Sequence, residues 1–185
     1  MTNENPIVLL VDDLEAATEL MRIVFARSGY VEPLRLASDG EQAIAYLRGD
    51  SGSPNYTQHG MPTVVLLDLN MPRKNGFEVL EWIRKQPALN QLCVCILSAS
   101  SLPEDIARAY DLGANAYIVK PGNLAGLMHL ATSLLAWLRL VQFTPLEMEE
   151  GSAVSNSASC GGAYESEASN QGACVRHIVP GFSSP

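Results

Sequence analysis

The sequence predicts an α/β fold in which helices cover both faces of a doubly wound, five-stranded parallel sheet. The first observation is that five short apolar runs without polar alternation recur along residues 6–143. The second is that each run is followed by a segment with the 3.6-residue period of an amphipathic helix. Strands that are apolar on both faces need cover on both faces, and alternating strands and helices provide it. Ligands of such sheets bind beyond the carboxyl ends of the strands.

Local signals mark several of the element boundaries. Ser38 or Asp39 suits the N-cap of the second helix, and Gly49 suits its C-cap. Pro103 suits the first turn of the fourth helix. The predicted strands are Ile7–Val11, Pro33–Ala37, Thr63–Asp68, Leu92–Leu97 and Ala116–Val119. The predicted helices are Glu15–Ser28, Gly40–Arg48, Gly76–Lys85, a fourth from about Pro103 to Gly113, and Leu124–Phe143.

Bulk properties exclude several classes of protein. The net charge of -8 argues against binding to nucleic acid through its phosphates. No apolar run reaches the roughly 18 residues of a membrane span, and the polar start "MTNENP" is unlike a secretory signal. We therefore expect a cytoplasmic protein that binds neither nucleic acid nor membrane. Cys93 and Cys95 alternate around Val94 and are interpreted as buried strand thiols in a reducing compartment.

Composition changes near Pro145. Beyond it, small and polar residues dominate and no apolar period survives. We expect a folded domain at residues 1–144 and a disordered, Ser/Gly/Ala-rich tail at residues 145–185.

Polar side chains gather where the predicted strands end. The run "VVLLDLNMPRKNG" carries an apolar strand into Asp68, and the first strand ends in Asp12 and Asp13. The fourth strand ends at Ser98, and Lys120 follows the fifth. Because the carboxyl ends of parallel strands meet at one edge of the sheet, these groups should share a pocket.

The chemistry of this pocket follows from its charges. Repulsion between neighbouring carboxylates is relieved by a hard dication, and Mg²⁺ needs only a few carboxylate contacts. Asp13 and Asp68 are the natural direct ligands, while Asp12 can act through water and the turn returns the Asn70 carbonyl to the site. Phosphoryl transfer to a carboxylate needs a nucleophilic oxygen, a metal and positive charge, which Asp68, Mg²⁺ and Lys120 supply.

The motifs "VDD", "LLDLNMPRKNG", "LSAS" and "GANAYIVKP" closely resemble the receiver domain of two-component response regulators. The resemblance covers residues 6–143 and implies a flavodoxin-like, three-layer α/β/α sandwich with strand order 2-1-3-4-5. It implies that a histidine kinase or a phosphotransfer protein phosphorylates Asp68. It also implies that Mg²⁺ is bound by Asp12, Asp13, Asp68 and the Asn70 carbonyl, with Lys120 on the phosphoryl group.

The resemblance assigns further roles. Ser98 and Tyr117 fill the coupled switch positions of the family. Asn70 and Ser100 occupy positions that tune dephosphorylation, and the bond between Lys120 and Pro121 is usually cis. Within the family, the chain looks most like single-domain regulators that partner bacteriophytochromes and related hybrid kinases. That assignment uses the long "GDSGSPNYTQHGM" loop, the "LSASSLPEDIARAYDLGANAYIVKP" block and the apolar last helix.

The last predicted helix has two apolar bands. One is expected to pack on the sheet and contains Leu124, Leu127, Met128, Ala131, Leu135 and Leu138. The other lies roughly opposite, where a helix with one buried face should be polar, and contains Leu130, Trp137, Leu140 and Val141. The second band suggests a homodimer through the fourth helix, fifth strand and fifth helix, unless the tail folds back over it.

These observations favour a stand-alone phosphoacceptor that is not an enzyme, since its own Asp68 would be the group modified. Two other classes remain. An aspartate-nucleophile phosphohydrolase would have a second acid two residues after the nucleophile, where this chain has Asn70. A dimeric scaffold would keep the fold without phosphorylation, but the intact set of acids, serine and lysine argues against it.

Overall fold

The computed structural model describes residues 6–32, 34–49 and 60–141, and its five strands form one parallel sheet. The strand order β2-β1-β3-β4-β5 confirms the predicted topology. Each observed strand lies within or close to the predicted run. The strands are β1 (Val8–Val11), β2 (Arg35–Ala37), β3 (Val64–Leu67), β4 (Cys93–Ser98) and β5 (Ala116–Val119).

In the described ranges, five helices follow the strands, one after each. They are α1 (Glu15–Arg27), α2 (Gly40–Arg48), α3 (Gly76–Arg84), α4 (Pro103–Asp111) and α5 (Leu124–Leu140), with a short 3₁₀ turn at Pro87–Leu89. Successive strand residues point to opposite faces of the sheet, so each face has its own apolar core. Leu9 and Val65 face α2, α3 and α4, whereas Leu10 and Leu66 face α1 and α5. This three-layer sandwich explains why the strands lack polar alternation.

Both ends of α2 form where the local signals place them. The carboxylate of Asp39 accepts a hydrogen bond from the Gln42 N–H (2.8 Å), so Asp39 rather than Ser38 is the N-cap of α2. Gly49 has a φ of +71° and ends that helix in the left-handed conformation. The last helix ends at Leu140 rather than Phe143, because Val141 turns to an extended conformation with ψ of 136°.

The two cysteines of β4 are buried, as predicted. Cys93 and Cys95 point to the α1 and α5 face, with their Sγ atoms 4.0 Å apart, and both are free thiols. The hydrogen bond between the two thiols raises the pKa of Cys95, and burial raises it further. Both thiols therefore act as part of the apolar core.

The inner band of α5 packs on the sheet except at its first residue. Ala131, Leu135 and Leu138 are buried, but Leu124 is 49% exposed, so its predicted burial is wrong. Leu124 begins the helix beyond the carboxyl end of β5, where the last strand residue, Val119, is itself 45% exposed. Periodicity identifies a helix face but does not show how far the sheet beneath it extends.

The outer band of α5 is divided. Trp137 is 41% and Leu140 81% exposed. Leu130 is half-buried against the core on the α1 and α5 face, and Val141 is half-buried as the C-cap residue. Of the four residues in the band, only Trp137 and Leu140 are therefore exposed.

The predicted tail at residues 145–185 lies outside the described residues, and the boundary at residue 144 stays a prediction. Within the described part of the chain, none of the helices has the length and apolar character needed to cross a membrane.

Candidate functional site

Three carboxylates meet at the carboxyl edge of the sheet. Strands β1 and β3 are paired with Val11 opposite Leu67, so the residues that follow them, Asp12 and Asp68, leave the sheet side by side. One carboxylate oxygen each from Asp12, Asp13 and Asp68 lies within 4.8 Å of the others. The strand register therefore produces the acidic cluster that the sequence predicts.

Lys120 bridges two of these acids. Its Nζ donates to Asp12 Oδ2 (2.7 Å) and to Asp68 Oδ2 (2.8 Å). Its main-chain N–H donates to the Ser98 carbonyl (2.8 Å), which fixes the chain as it leaves β5. Burial lowers the pKa of the ammonium, but hydrogen bonds to the two carboxylates outweigh burial, and the pKa is raised above its ordinary value. Lys120 is therefore held as a cation beside Asp68.

The carboxylate of Asp68 is oriented by its own turn. Its Oδ1 accepts hydrogen bonds from the N–H groups of Leu69 (2.7 Å) and Asn70 (3.4 Å). Asp68 is only 6% exposed, so these contacts satisfy a group that is nearly removed from water. The Asn70 contact also brings that residue's main chain back towards the acids, although its side chain is exposed.

Asp13 has room for a ligand. Among the described residues, no hydrogen bond or ion pair is recorded to its carboxylate, and the side chain is half-buried. Three carboxylates and one ammonium leave a formal charge of minus two at the cluster. Oxygen donors with this charge fit a hard divalent cation such as Mg²⁺, with Asp12, Asp13, Asp68 and the Asn70 carbonyl as the residues that would hold it.

Comparison with models of known protein families shows to which family the chain belongs. The model described as "Response regulator receiver domain" matches residues 8–132 of the chain. This protein belongs to the response regulator receiver family. The receiver of this chain is similar to response regulator Rcp1 of Synechocystis sp. (strain ATCC 27184 / PCC 6803 / Kazusa), with 33% identity over 141 residues, 76% of this chain and 94% of that protein.

Solved structures agree with this membership. The phosphorylated cyanobacterial phytochrome response regulator RcpA is 34% identical with a TM-score of 0.69, over 76% of this chain and 99% of its own. The response regulator RPA3017 in red light signaling of R. palustris is 35% identical with a TM-score of 0.70, over the same shares of the two chains. The Mn²⁺-bound form of Rcp1 is 32% identical with a TM-score of 0.67, again over 76% of this chain and 99% of its own. The receiver is thus similar to these solved response regulators along nearly their whole length.

The predicted switch residues of the receiver meet through one loop residue. Ser98 is fully buried at the end of β4, and its Oγ accepts from the Ser100 N–H (3.3 Å). Tyr117 is half-buried, and its hydroxyl donates to the Ser100 carbonyl (3.0 Å). The structure therefore connects the two side chains, and their movement on phosphorylation stays a prediction.

One expectation drawn from the family resemblance is wrong in this receiver. The peptide bond between Lys120 and Pro121 is trans, and no cis peptide bond occurs anywhere in the described ranges. Trans is the lower-energy form of a bond to proline by about 0.5–1 kcal/mol, and Lys120 reaches both acids in this form.

A third buried acid, besides Asp12 and Asp68, was identified from the sequence only as a helix cap. Asp39, 3% exposed, also forms an ion pair with Arg73 of the loop that follows Asp68. Burial raises the pKa of Asp39, but hydrogen bonds from the Gln42 N–H and from Arg73 outweigh burial and hold the pKa below its ordinary value. Arg73 has a φ of +65°, which is uncommon for a residue other than glycine. The pair anchors the loop that follows Asp68 to α2. Its only sequence signals were an acidic helix cap and a lone arginine in the loop after Asp68.

Proposed function

We propose that this protein is a single-domain response regulator that accepts a phosphoryl group on Asp68 in an Mg²⁺-dependent reaction. The observation that carries the proposal is the buried Asp68 carboxylate, held by two main-chain N–H groups and by Lys120 Nζ at 2.8 Å, beside two further acids. The phosphoryl donor is a sensor histidine kinase or a phosphotransfer protein. The phosphorylated protein then acts by contacting another protein, or it serves as a phosphate sink or relay.

The residues of the site suit this transfer. As the phosphorus–nitrogen bond of a phosphohistidine breaks, an oxygen of Asp68 forms the new bond to phosphorus. Lys120 is already a cation between Asp12 and Asp68, and its ammonium group can contact the phosphoryl oxygens and stabilise their negative charge. The Ser98 hydroxyl can donate a hydrogen bond to one of them. When bound at the acids, Mg²⁺ would neutralise the charge that remains on the site and on the transferred group.

The relatives support the choice of donor. RcpA is a phytochrome response regulator solved in its phosphorylated form, and Rcp1 has been solved with Mn²⁺. A further similar structure is the bacteriophytochrome response regulator RtBRR, with 30% identity and a TM-score of 0.58, over 80% of this chain and 86% of its own. We infer from these that the kinase is a phytochrome or a related hybrid kinase and that the site of action is the cytoplasm.

The proposal is tested with a small phosphodonor. Incubation with acetyl phosphate and Mg²⁺ should add the mass of one phosphoryl group to the intact wild-type protein. Asp68→Asn should add none, and neither should wild type in excess EDTA. Asp111→Asn, which changes an exposed acid of α4, should behave as wild type. Equal modification of the Asp68→Asn variant would contradict the proposal. Steady release of phosphate from phosphomonoesters would favour a phosphohydrolase instead.

We further propose a homodimer through α4, β5 and α5. Large apolar side chains are exposed on all three elements, including Tyr110 (50%), Val119 (45%), Trp137 (41%) and Leu140 (81%). Several exposed apolar side chains on neighbouring elements mark a protein–protein interface more often than a single exposed apolar side chain does. Leu130 and Val141, only half-buried, would lie at its margin.

Charged residues in the exposed band should separate the dimer. We expect Trp137→Glu with Leu140→Glu to halve the molar mass measured by light scattering, because each buried glutamate would lose its hydration. Val31→Glu is the matched control, since Val31 is also 81% exposed but lies between α1 and β2. If the wild-type protein is monomeric both with and without a phosphoryl donor, the proposed dimer is contradicted. That result would favour the alternative in which another segment of the same chain covers the exposed band.

A further inference from the structure

Ser100, in the loop between β4 and α4, joins four polar groups. Its N–H donates to Ser98 Oγ (3.3 Å) and its carbonyl accepts from the Tyr117 hydroxyl (3.0 Å). Its own hydroxyl donates to Asp105 Oδ2 (2.5 Å) and accepts from the Leu102 N–H (3.3 Å). Every polar atom of this half-buried residue is thus engaged, and Asp105 is its only charged partner among the described residues.

Asp105 determines where the Ser100 hydroxyl points. A serine hydroxyl has a single proton, and an ionised carboxylate can only accept, so that proton is committed to Asp105. A hydrogen bond to a carboxylate is stronger than one between neutral groups. Asp105 lies in the first turn of α4, so this bond ties the loop residues 99–102 to the helix.

The same bond affects the buried hydroxyl of Ser98. The Ser100 N–H occupies an acceptor site of Ser98 Oγ, which leaves the Ser98 proton available for donation towards Asp68. The orientation of Ser98 therefore depends on the position of Ser100, and the position of Ser100 depends on Asp105. Among the described residues, Asp105 has no recorded contact with Asp12, Asp13, Asp68 or Lys120.

We propose that Asp105 is a positioning residue that lengthens the lifetime of the phosphoryl group on Asp68. The inference rests on the function proposed above. During hydrolysis, the oxygen of a water molecule bonds to phosphorus while the bond from phosphorus to the Asp68 oxygen breaks, giving inorganic phosphate and the free carboxylate. With Asp105 in place, Ser98 stays directed at the phosphoryl group and the Ser100 hydroxyl is not free to bind the attacking water.

The test is the decay of the phosphorylated protein after acetyl phosphate is removed. We expect Asp105→Ala to shorten the lifetime about tenfold, near the lower end of the effect given by loss of one hydrogen bond to a charged group. Asp105→Asn keeps an acceptor oxygen and should restore most of the lifetime. Glu104→Ala, an exposed acid one residue earlier on α4, should decay as wild type. The affinity for Mg²⁺ should be unchanged in all of them.

A double variant separates positioning from a general loss of stability. If Asp105 acts through Ser100, then Asp105→Ala combined with Ser100→Ala should decay at the rate of Ser100→Ala alone. Additive effects, or a wild-type lifetime in Asp105→Ala, would overturn the inference while leaving the phosphoacceptor proposal intact. If wild type and Glu104→Ala both fail to take up a phosphoryl group, the proposed function and this inference are overturned together.

Discussion

Replacing Lys120 with methionine is expected to slow phosphoryl transfer to Asp68 by about 100- to 1000-fold, the usual cost of removing one preorganised charge or donor from a transition state. The ammonium lies 2.8 Å from Asp68 Oδ2, where negative charge gathers as the phosphoryl group arrives. Methionine has a similar length without the charge. The measurement is the initial rate of phosphorylation by acetyl phosphate at saturating Mg²⁺, followed by intact mass.

A surface ion pair supplies the control for this substitution. Lys85 contacts Glu81 at 2.8 Å, but both side chains are more than half exposed, and such pairs contribute little. Lys85→Met should therefore phosphorylate at the wild-type rate. A Lys120→Met rate within a few-fold of wild type would show that positive charge from this residue is not used in the transfer.

Gly76→Ala is expected to lower the free energy of unfolding by about 3 kcal/mol, at the upper end of the cost of overpacking. A Cβ at this position would lie 2.1 Å from the Asp68 carbonyl oxygen and 2.8 Å from the Leu69 Cα. The loop that begins at Asp68 returns to this point, where the Gly76 N–H donates to the Leu69 carbonyl (3.0 Å). Since main-chain atoms cannot give way as side chains do, the loop must shift. Urea unfolding monitored by circular dichroism gives the change.

Gly122→Ala is the matched substitution. A Cβ at Gly122 would have no atom within 4 Å, and the free energy of unfolding should change by no more than about 0.5 kcal/mol. Equal stability of the two alanine variants would contradict the close approach of Gly76 to the loop that begins at Asp68. A loss confined to Gly76→Ala would support it, and this variant should also phosphorylate slowly because the loop carries Asp68.

The sequence predicted the sheet and the acid cluster well because both follow from strand ends. Buried parallel strands are apolar throughout, so Asp12 at the end of the first strand and Asp68 at the end of the third stand out in the sequence. The pairing of these two strands then brings the two acids together. The pair formed by Asp39 and Arg73 was missed because it joins two loops that are 34 residues apart. Neither its geometry nor the left-handed backbone of Arg73 has a periodic signal in the sequence.

Exposure on α5 was predicted only in part. The helical period places Leu124 and Leu138 on the same face, yet Leu138 is buried and Leu124 is 49% exposed. The difference arises because the sheet ends before the first turn of α5 begins. Similarly, the sequence marked Ser100 as a residue near the site but did not show that Asp105 holds its hydroxyl, since a serine in a loop has many possible partners.

The central claim is that Asp68 carries the phosphoryl group, and the most direct measurement locates it. Protein treated with acetyl phosphate and Mg²⁺ would be reduced with borohydride, which converts an aspartyl phosphate to homoserine, and then mapped by peptide mass spectrometry. We expect homoserine at position 68 alone, and none in samples treated with EDTA. Homoserine at another aspartate, or its absence from fully metal-loaded protein, would contradict the assignment of Asp68 as the phosphoacceptor.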